Sequence, residues 1–241
     1  MIKVGLDIGN SKISCVVSDI SKKNNPNILS LVSLPTLNIN KNVIVNFQKI
    51  KSEVKEVLDT AAKESQTAIK SINLNVPVSS SESLFYNSQI EINNELINDL
   101  HLKKAINESV FFNKILNKKI LMNYIINYEM ENKIIVDNPV GNYAKNLKVN
   151  FYKLLIEQNF INTYENLFNE LKIHIANLIP TPLSSALATL NDDDRDLGGI
   201  CIDLGSASTS VAVFENKKLI FCDAINIGSK NITNDIARGI S

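Results

Sequence analysis

One short pattern, an aspartate followed two residues later by a glycine at the end of an apolar run, occurs twice in this chain. The first copy reads GLDIGNSK and the second CIDLGSAS, 196 residues further on, so that Asp7 aligns with Asp203 and Gly9 with Gly205. The apolar runs ISCVVSD and TSVAVFE then follow in register. Each copy predicts two β-strands joined by a tight turn. A chance likeness between two ordinary hairpins is the alternative, but the matched strands on both sides favour a true repeat.

The residue types in the repeat suit the binding of phosphate and of a divalent cation. An aspartate at the end of a buried strand is costly unless it meets a cation or ordered donors. A glycine removes the Cβ, so that backbone N–H groups can approach an anion. Two such turns facing each other can hold the β- and γ-phosphates of a nucleotide, with Asp7 and Asp203 on the waters of Mg²⁺. Lys12, which has no counterpart in the second copy, would add a positive charge.

Composition and charge argue against several other classes of protein. Apolar residues make up 44% of the 241 residues and charged residues 21%, and the formal net charge is zero. These values are typical of a soluble globular protein, and without a basic run we expect no binding of nucleic acid. No apolar run approaches the ~20 residues of a transmembrane helix. No signal peptide is evident, so we expect a cytosolic protein.

The cysteines and histidines form no recognisable catalytic or metal-binding pattern. Cys15, Cys201 and Cys222 lack the spacing of metal ligands, so we expect small buried side chains in a reducing cytoplasm. His101 and His174 are far apart in the sequence and have no evident serine or cysteine partner. We therefore expect neither histidine to be catalytic.

The first 78 residues are predicted to fold as β-β-β-α-β. Strands are expected in IKVGLDIG, SKISCVVSDI, ILSLVSLPT and INLNVPV, which are bounded by turn residues. From Phe47 onward the apolar residues follow a helical period. Residues 79–161 differ, with short strand-like pieces, a helix at 95–107 and strands around the turn DNPVGN. This block is predicted to be a small α+β unit inserted into the first domain.

The last part of the chain leads into the second copy of the repeat. Thr163–Lys172 is predicted to be helical, and PLSSALATL begins another helix with Pro182 in its first turn. The run NDDDRDLGG at 191–199 is predicted to be a solvated joint, because three consecutive aspartates cannot all face one ion. A strand, KLIFCDAIN, and the front of a helix, IGSKNITNDIARGIS, follow the second hairpin. A domain of ~45 residues is below the usual size, so we expect the second lobe to be incomplete.

Six stretches of the sequence carry a resemblance to known proteins. They are VGLDIGNSK, NVIVNFQKI, NPVGNYAKNLKV, PTPLSSALATLNDDDRDLGG, CIDLGSASTSVAVFENKKLI and INIGSKNITNDIA. The doubled hairpin resembles the two phosphate loops of the actin-like ATPase superfamily, and the whole set resembles the FtsA family of bacterial cell-division proteins. The last stretch is the most specific, because family members have a glycine turn followed by I/V-T-x-D-I-A. Family proteins are typically much longer, so the resemblance implies roughly the N-terminal half of such a protein, or somewhat more.

The resemblance implies an α/β fold of the actin-like, or ribonuclease-H-like, ATPase type. In the family's terms, residues 1–78 and 162–190 would form subdomain 1A. Residues 79–161 would be the inserted subdomain 1C, and residues 191–241 would be the start of a truncated subdomain 2A.

The resemblance also implies which residues form a nucleotide site for ATP and Mg²⁺. Asp7 and Asp203 would face the metal ion. The phosphate contacts would come from Gly9, Asn10, Ser11 and Lys12 in the first turn and from Gly205, Ser206, Ala207 and Ser208 in the second.

The function implied by the resemblance is that of an adaptor in cell division. Such a protein binds ATP, is at most a weak ATPase, self-associates into filaments and links FtsZ to the cytoplasmic face of the membrane at the division septum. The inserted subdomain would contribute to filament contacts and to contacts with other divisome proteins. The family's adenosine-binding glycines, its subdomain for FtsZ and its membrane-targeting amphipathic helix would all follow residue 241.

The sequence departs from the family pattern at several positions of the site. The second loop of the family usually reads Asp-x-Gly-Gly-Gly-Thr, whereas this chain has Ser206 and Ala207 in place of the last two glycines and Ser208 in place of threonine. Asn42 and Ser229 also stand where glycine is usual. A step of the second loop that needs a positive φ would cost more with serine or alanine.

Three alternative functions remain at the level of the sequence. A small-molecule kinase or phosphatase of the same superfamily would need a base or water-positioning residue and a substrate pocket, for which no distinct motif is present. A related actin-like protein of pilus assembly would co-purify with pilus components rather than FtsZ. A truncated remnant would not bind nucleotide.

Overall fold

The fold consists of three main β-sheets with helices packed between and upon them. The computed structural model describes residues 1–21, 26–111 and 118–240. In chain order the strands are β1 (Ile2–Ile8), β2 (Lys12–Asp19), β3 (Asn27–Pro35), β4 (Ile39–Asn40), β5 (Val43–Ile44), β6 (Ser71–Val76), β7 (Ser81–Leu96), β8 (Lys118–Glu129), β9 (Ile135–Val136), β10 (Tyr143–Glu157), β11 (His174–Pro180), β12 (Gly199–Leu204), β13 (Thr209–Glu215) and β14 (Lys218–Ile225). The helices are α1 (Phe47–Ser65), α2 (Asp99–Phe111), α3 (Gln158–Leu171), α4 (Thr181–Thr189), α5 (Asp192–Leu197) and α6 (Ser229–Gly239), and a short 3₁₀ helix spans Glu131–Lys133.

The first sheet carries the first copy of the repeat and has the strand order β11-β6-β1-β2-β3. β1, β2 and β3 are antiparallel neighbours, whereas β6 and β11 join the sheet in parallel. Helices α1 and α3 cover one face of the sheet and share its apolar core. The buried residues of α1 recur at a helical period, which confirms the predicted stripe: Ile50, Val54, Val57, Leu58 and Ala61.

The second sheet lies within the block predicted to be inserted and has the order β7-β10-β8-β9. Its strands are antiparallel, and α2 packs against it through Ala105. The short strand-like pieces expected after residue 79 are one continuous strand, β7. This strand has an open edge, so many of its side chains are exposed and polar, and the apolar alternation is weak at the sequence level.

The third sheet, β12-β13-β14, carries the second copy of the repeat. One face of it packs on α4 and on the second sheet in a shared apolar core. At this contact the hydroxyls of Ser83 and Tyr152 donate to the carbonyl oxygen of Cys222, at 2.7 and 3.2 Å. The Lys218 ammonium also donates to Asp137, at 2.9 Å. The second and third sheets are therefore tied together by polar as well as apolar contacts.

Some elements differ from the sequence predictions. The run at 191–199 contains the helix α5, because Asn191 accepts a hydrogen bond from the Asp194 N–H at 2.8 Å while the Asp194 carboxylate accepts from the Asn191 N–H at 3.0 Å. This capping box and the acidic first turn stabilise the N-terminus of a helix. The strand β11 and the short pair β4–β5 were not predicted. Helix α2 begins at Asp99 rather than at residue 95, and α3 begins at Gln158 rather than at Thr163.

The division into subdomains stays a prediction. Residues 112–117 of the proposed insertion and Ser241 of the proposed second lobe lie outside the described residues. Across the parts of the chain that the structure describes, no helix is long and apolar enough to span a bilayer.

Candidate functional site

The two copies of the repeat fold into turns of the same construction. The N–H of Gly9 donates to the carbonyl oxygen of Lys12 at 3.0 Å, and the N–H of Gly205 donates to that of Ser208 at 2.9 Å. A Cβ at Gly9 would lie 3.2 Å from the Lys12 oxygen, and one at Gly205 would lie 2.9 Å from the Ser208 oxygen. A Cβ at Gly205 would force its surroundings to shift, and a Cβ at Gly9 would make an unusually tight contact, so both turns favour glycine at this position.

The strands that flank the turns are paired in the same register in both copies. Asp7 lies opposite Ser14 on β2, and Asp203 lies opposite Ser210 on β13. Each aspartate is also the penultimate residue of its strand. The repeat predicted from the sequence is confirmed down to its individual cross-strand partners.

Both turns line one cleft of about 600 Å³. Nine of the ten predicted site residues contribute to its wall: Asp7, Gly9, Asn10, Ser11, Lys12, Asp203, Gly205, Ser206 and Ser208. The tenth, Ala207, belongs to the second turn but is not among the lining residues. Neither His101 nor His174 lines this cleft.

Helix α4 supports both aspartates from one side of the cleft. The Ser185 hydroxyl donates to Oδ2 of Asp203 at 2.6 Å. The neighbouring Ser184 hydroxyl lies 3.0 Å from Oδ1 of Asn75, and the Asn75 amide donates to Oδ1 of Asp7 over a longer 3.4 Å. One turn of helix thus contacts the carboxylate of the second copy directly and that of the first copy through an asparagine.

The electrostatics of the cleft fit a cation between the two carboxylates. Burial raises the pKa of Asp7 above its ordinary value, the amide of Asn75 lowers it, the negative charge of Asp203 raises it and the charge of Lys12 lowers it. A divalent cation would relieve both the desolvation and the repulsion, and Mg²⁺ takes carboxylate ligands together with waters. Within the described residues there is no group of three or more histidine, cysteine or acidic side chains that could hold a metal ion alone.

The second turn has serine and alanine where the sequence resemblance implies glycine. Among the described residues, the non-glycine positions with positive φ lie elsewhere in the chain, and none of Ser206, Ala207 and Ser208 is one of them. Serine and alanine adopt negative φ without strain. Serine and alanine at positions 206 and 207 therefore carry no energetic cost from a positive φ.

A third glycine holds the second turn against α6. The N–H groups of Ser229 and Lys230 donate to the carbonyl oxygens of Gly205 and Ser206, at 2.9 and 3.0 Å. A Cβ at Gly228 would lie only 2.5 Å from the Ser206 oxygen. The first turn of α6 therefore reaches the second turn only because residue 228 is glycine.

The first turn is held by one backbone hydrogen bond, from the N–H of Thr36 to the carbonyl oxygen of Ser11 at 2.9 Å, and by the side chain of Asn42. This residue is 5% exposed and has a φ of 65°, which asparagine tolerates better than most residues. Its N–H donates to Oδ1 of Asn10 at 2.8 Å, while the Asn10 amide donates back to the Asn42 side chain. The Asn42 amide also donates to Ser79 at 2.8 Å and, over 3.4 Å, to Ser208 of the second turn. Asn42 thus connects the two turns, and it engages the Asn10 side chain.

Four residues that shape the site were not singled out as site residues by the sequence: Asn42, Asn75, Ser185 and Gly228. Asn42 was noted only as a departure from the family pattern. An asparagine within the alternating strand INLNV was a usable signal, because a polar residue in a central parallel strand needs a partner. The roles of Ser185 and Gly228 depend on distant parts of the chain.

Comparisons with known proteins place the chain near FtsA. The family model described as "Cell division protein FtsA" matches residues 200–241. Cell division protein FtsA of Rhizobium meliloti is 24% identical over 98% of this chain and 56% of its own length. The FtsA proteins of Pseudomonas aeruginosa and Streptococcus pneumoniae are 22% and 19% identical, over 98% and 97% of this chain and 57% and 51% of their own lengths. The chain spans about half the length of the curated relatives it matches.

Two solved structures are similar to the fold. A chain of a PilM–PilN type IV pilus biogenesis complex is 16% identical, with a TM-score of 0.69 over 98% of this chain and 65% of that one. The ethanolamine utilization protein EutJ of Carboxydothermus hydrogenoformans is 12% identical, with a TM-score of 0.55 over 100% of this chain and 57% of that one. The actin-like ATPase fold and the similarity to FtsA, both expected from the sequence, are confirmed.

Proposed function

We propose that this chain binds the phosphates of Mg²⁺-bound ATP in the cleft between the two turns, as part of an FtsA-like cell-division protein. One observation carries the proposal. Two turns with the same register and the same closing hydrogen bond line a single cleft, and each brings an aspartate to it. Such backbone turns suit an anion, and the two carboxylates suit its cation.

The turn geometry refines which groups would contact phosphate. The N–H groups of Gly9 and Gly205 already donate within their own turns. The contacts therefore fall to the N–H groups of turn residues that line the cleft, those of Asn10 and Ser11 on one side and of Ser206 on the other. The Lys12 ammonium adds a positive charge to the first side only.

The two aspartates would hold Mg²⁺ through its waters. Bound there, the ion neutralises phosphate charge and so allows a triphosphate to approach two carboxylates. Asp7 gains most from this neutralisation, since its pKa is raised by burial and by the charge of Asp203. Binding of the cation and of the nucleotide are accordingly coupled.

At the level of the whole protein, we propose the role of the FtsA-like adaptor. The protein would self-associate into filaments and link FtsZ and other divisome proteins to the cytoplasmic side of the membrane at the division septum, with at most weak ATPase activity. The residues 79–161 would act as the inserted subdomain 1C. The similarity to proteins named cell division protein FtsA over 98% of this chain supports this role.

The competing functions have less support. Likeness to the pilus complex is a likeness of fold at 16% identity, and none of the described contacts indicates a substrate pocket for a small-molecule kinase. Co-purification of the full-length protein from its native cells separates the adaptor roles. Recovery of FtsZ supports the proposal, and recovery of pilus components instead overturns it.

Calorimetry tests nucleotide binding by the chain itself. ATP is titrated into the 241-residue protein with Mg²⁺ and again in EDTA, and AMP serves as the ligand that lacks the β- and γ-phosphates. Lys12→Ala should weaken the binding of Mg²⁺-ATP, whereas Lys3→Ala, an exposed lysine of the same sheet, should leave it unchanged. Equal affinity for AMP and ATP, or equal effects of the two lysine variants, would overturn the proposed phosphate site.

A further inference from the structure

We propose that Ser185 is a positioning residue for the metal-facing carboxylate of Asp203, and that α4 thereby sets the placement of both aspartates of the cleft. This inference rests on the proposed binding of Mg²⁺-ATP and extends it to a residue outside the two turns. The juxtaposition that carries it is a pair of adjacent serines: the Ser185 hydroxyl donates to Asp203, and the Ser184 hydroxyl lies 3.0 Å from Asn75 and 2.9 Å from the carbonyl oxygen of Thr181.

The pair of serines exploits the geometry of a helix. Consecutive helical residues point about 100° apart around the axis, so Ser184 and Ser185 contact different neighbours. Ser185 contacts β12 of the third sheet, and Ser184 contacts Asn75 on β6 of the first sheet. A single turn of α4 therefore touches both copies of the repeat.

Helix α4 is fixed well enough to act as a reference for the carboxylates. Pro182 and Ala186 are its buried residues, and Ala186 belongs to the core shared by the second and third sheets. The proline also lies in the first turn of the helix, where its fixed φ is already helical. Ser185 is thus carried on a rigid element rather than on a loop.

The hydrogen bond to Asp203 is of the strong kind. Its length of 2.6 Å is typical of a hydroxyl that donates to an ionised carboxylate. It engages Oδ2, so that Oδ1 keeps its lone pairs for a cation-bound water. The support of Asp7 is weaker, since the Asn75 amide is 3.4 Å away. We therefore expect loss of the Ser185 hydroxyl to affect Mg²⁺ more than loss of the Ser184 hydroxyl.

The test measures by calorimetry the ratio of the ATP affinity with Mg²⁺ to the ATP affinity in EDTA. This ratio, the Mg²⁺ factor, is compared among three variants. Loss of a residue that orients a metal ligand commonly costs about 10-fold or more in metal affinity. Ser185→Ala should reduce the Mg²⁺ factor by about 10-fold. Ser185→Thr, which keeps the hydroxyl, should restore the factor. Ser184→Ala, the adjacent control, should change it less than Ser185→Ala does.

The outcomes separate this inference from the proposed function. If wild-type protein shows the Mg²⁺ factor and Ser185→Ala shows the same factor, positioning by Ser185 is refuted while Mg²⁺-ATP binding stands. If wild-type protein shows no Mg²⁺ factor, the proposed function fails, and Mn²⁺ alone is then titrated and followed by electron paramagnetic resonance. Weaker Mn²⁺ binding by Ser185→Ala than by Ser184→Ala would keep the positioning role. Equal Mn²⁺ binding, or none by wild-type protein, would overturn it.

Discussion

The two copies of the repeat share one backbone design but differ in what surrounds them. Three alternate side chains of the first strand are 5%, 2% and 4% exposed: Val4, Leu6 and Ile8. The equivalent side chains of the second copy are 63%, 69% and 59% exposed: Ile200, Ile202 and Leu204. In the first sheet these side chains pack on α1 and α3. The two hairpins thus have the same register whether or not helices cover them. The two copies therefore share their cross-strand pairing but not their burial.

The turns show the same contrast at their supports. The first turn is held by the side chain of Asn42 together with one backbone hydrogen bond from Thr36, and the second by two backbone hydrogen bonds from the start of α6. Neither support is itself repeated in the sequence. The repeated part of the molecule therefore supplies the chemistry, and the unrepeated parts hold it in position.

The largest effect should come from truncating one equivalent position in each sheet. Leu6→Ala removes a buried side chain and should lower the free energy of unfolding by about 2–5 kcal/mol. Ile202→Ala at the equivalent exposed position should change it by no more than about 0.5 kcal/mol. Urea denaturation of both variants provides the measurement. Equal losses of stability would mean that Ile202 is as buried as Leu6.

A smaller loss should follow from the support of the second turn. In Gly228→Ala the new methyl group meets the Ser206 carbonyl at 2.5 Å, and overpacking of this kind costs about 1–3 kcal/mol. Gly239→Ala is the matched control, because a Cβ there has no atom within 4 Å. Urea denaturation should show destabilisation of the first variant only. If Gly228→Ala were as stable as its control, the close approach of α6 to the turn would be disproved.

The support of the first turn should contribute less. Asn42→Gly keeps the positive φ but removes the side chain that connects Asn10 to Ser79, which should cost about 0.5–1.5 kcal/mol for each lost hydrogen bond, partly offset because glycine adopts a positive φ more readily than asparagine. Asn40→Ala, at an exposed position of β4, should be close to neutral. Thermal unfolding of both variants gives the comparison. An Asn42→Gly protein as stable as wild type would show that this connection does not support the turn.

The smallest effect is a dependence of stability on pH through Asp7. Its pKa is raised in the fold, chiefly by burial, so the folded state holds this proton more tightly than the unfolded state does. In the absence of a divalent cation, the contribution of Asp7 to stability should fall as pH rises from the ordinary aspartate pKa of 3.8 to the raised value in the fold. Asp7→Asn should remove this fall and be more stable than wild type at neutral pH.

A matched variant isolates the contribution of Asp7 in that experiment. Asp235→Asn changes an aspartate that is 76% exposed on α6 and should keep the wild-type dependence on pH. Urea denaturation at a series of pH values in EDTA compares the three proteins. If the stability advantage of Asp7→Asn over wild type did not grow as pH rose through this interval, the raised pKa of Asp7 would be contradicted.

The chemistry of the candidate site was predictable because it is local. Asp7 and Asp203 could be found from the sequence, since each is followed by a glycine in the same five-residue context. Ser185 and Gly228 could not, because each acts on a residue of a different element. A serine in a helix and a glycine before one are common, and only their neighbours in space give them a role.

The elements of the fold divide in the same way. The hairpins and α1 were predicted because their apolar periods are strong. The strand β11 was missed because it lies at a sheet edge, where exposed and half-buried residues replace a clear alternation and the register shifts between Ile175 and Asn177. Helix α5 was missed although Asn191 and Asp194 have the spacing of a capping box, because the acidic run was interpreted as a solvated joint.

The sequence alone determined the repeated hairpins, the position of the two aspartates and the class of fold. Those features depend on strand period and on turns closed within four residues, which are properties of short segments. Only the tertiary structure decided that the turns meet in one cleft and that α4, Asn42 and Gly228 hold them there. The physical reason is that two residues 196 positions apart are brought together by packing of the sheets and α4, which no local pattern records.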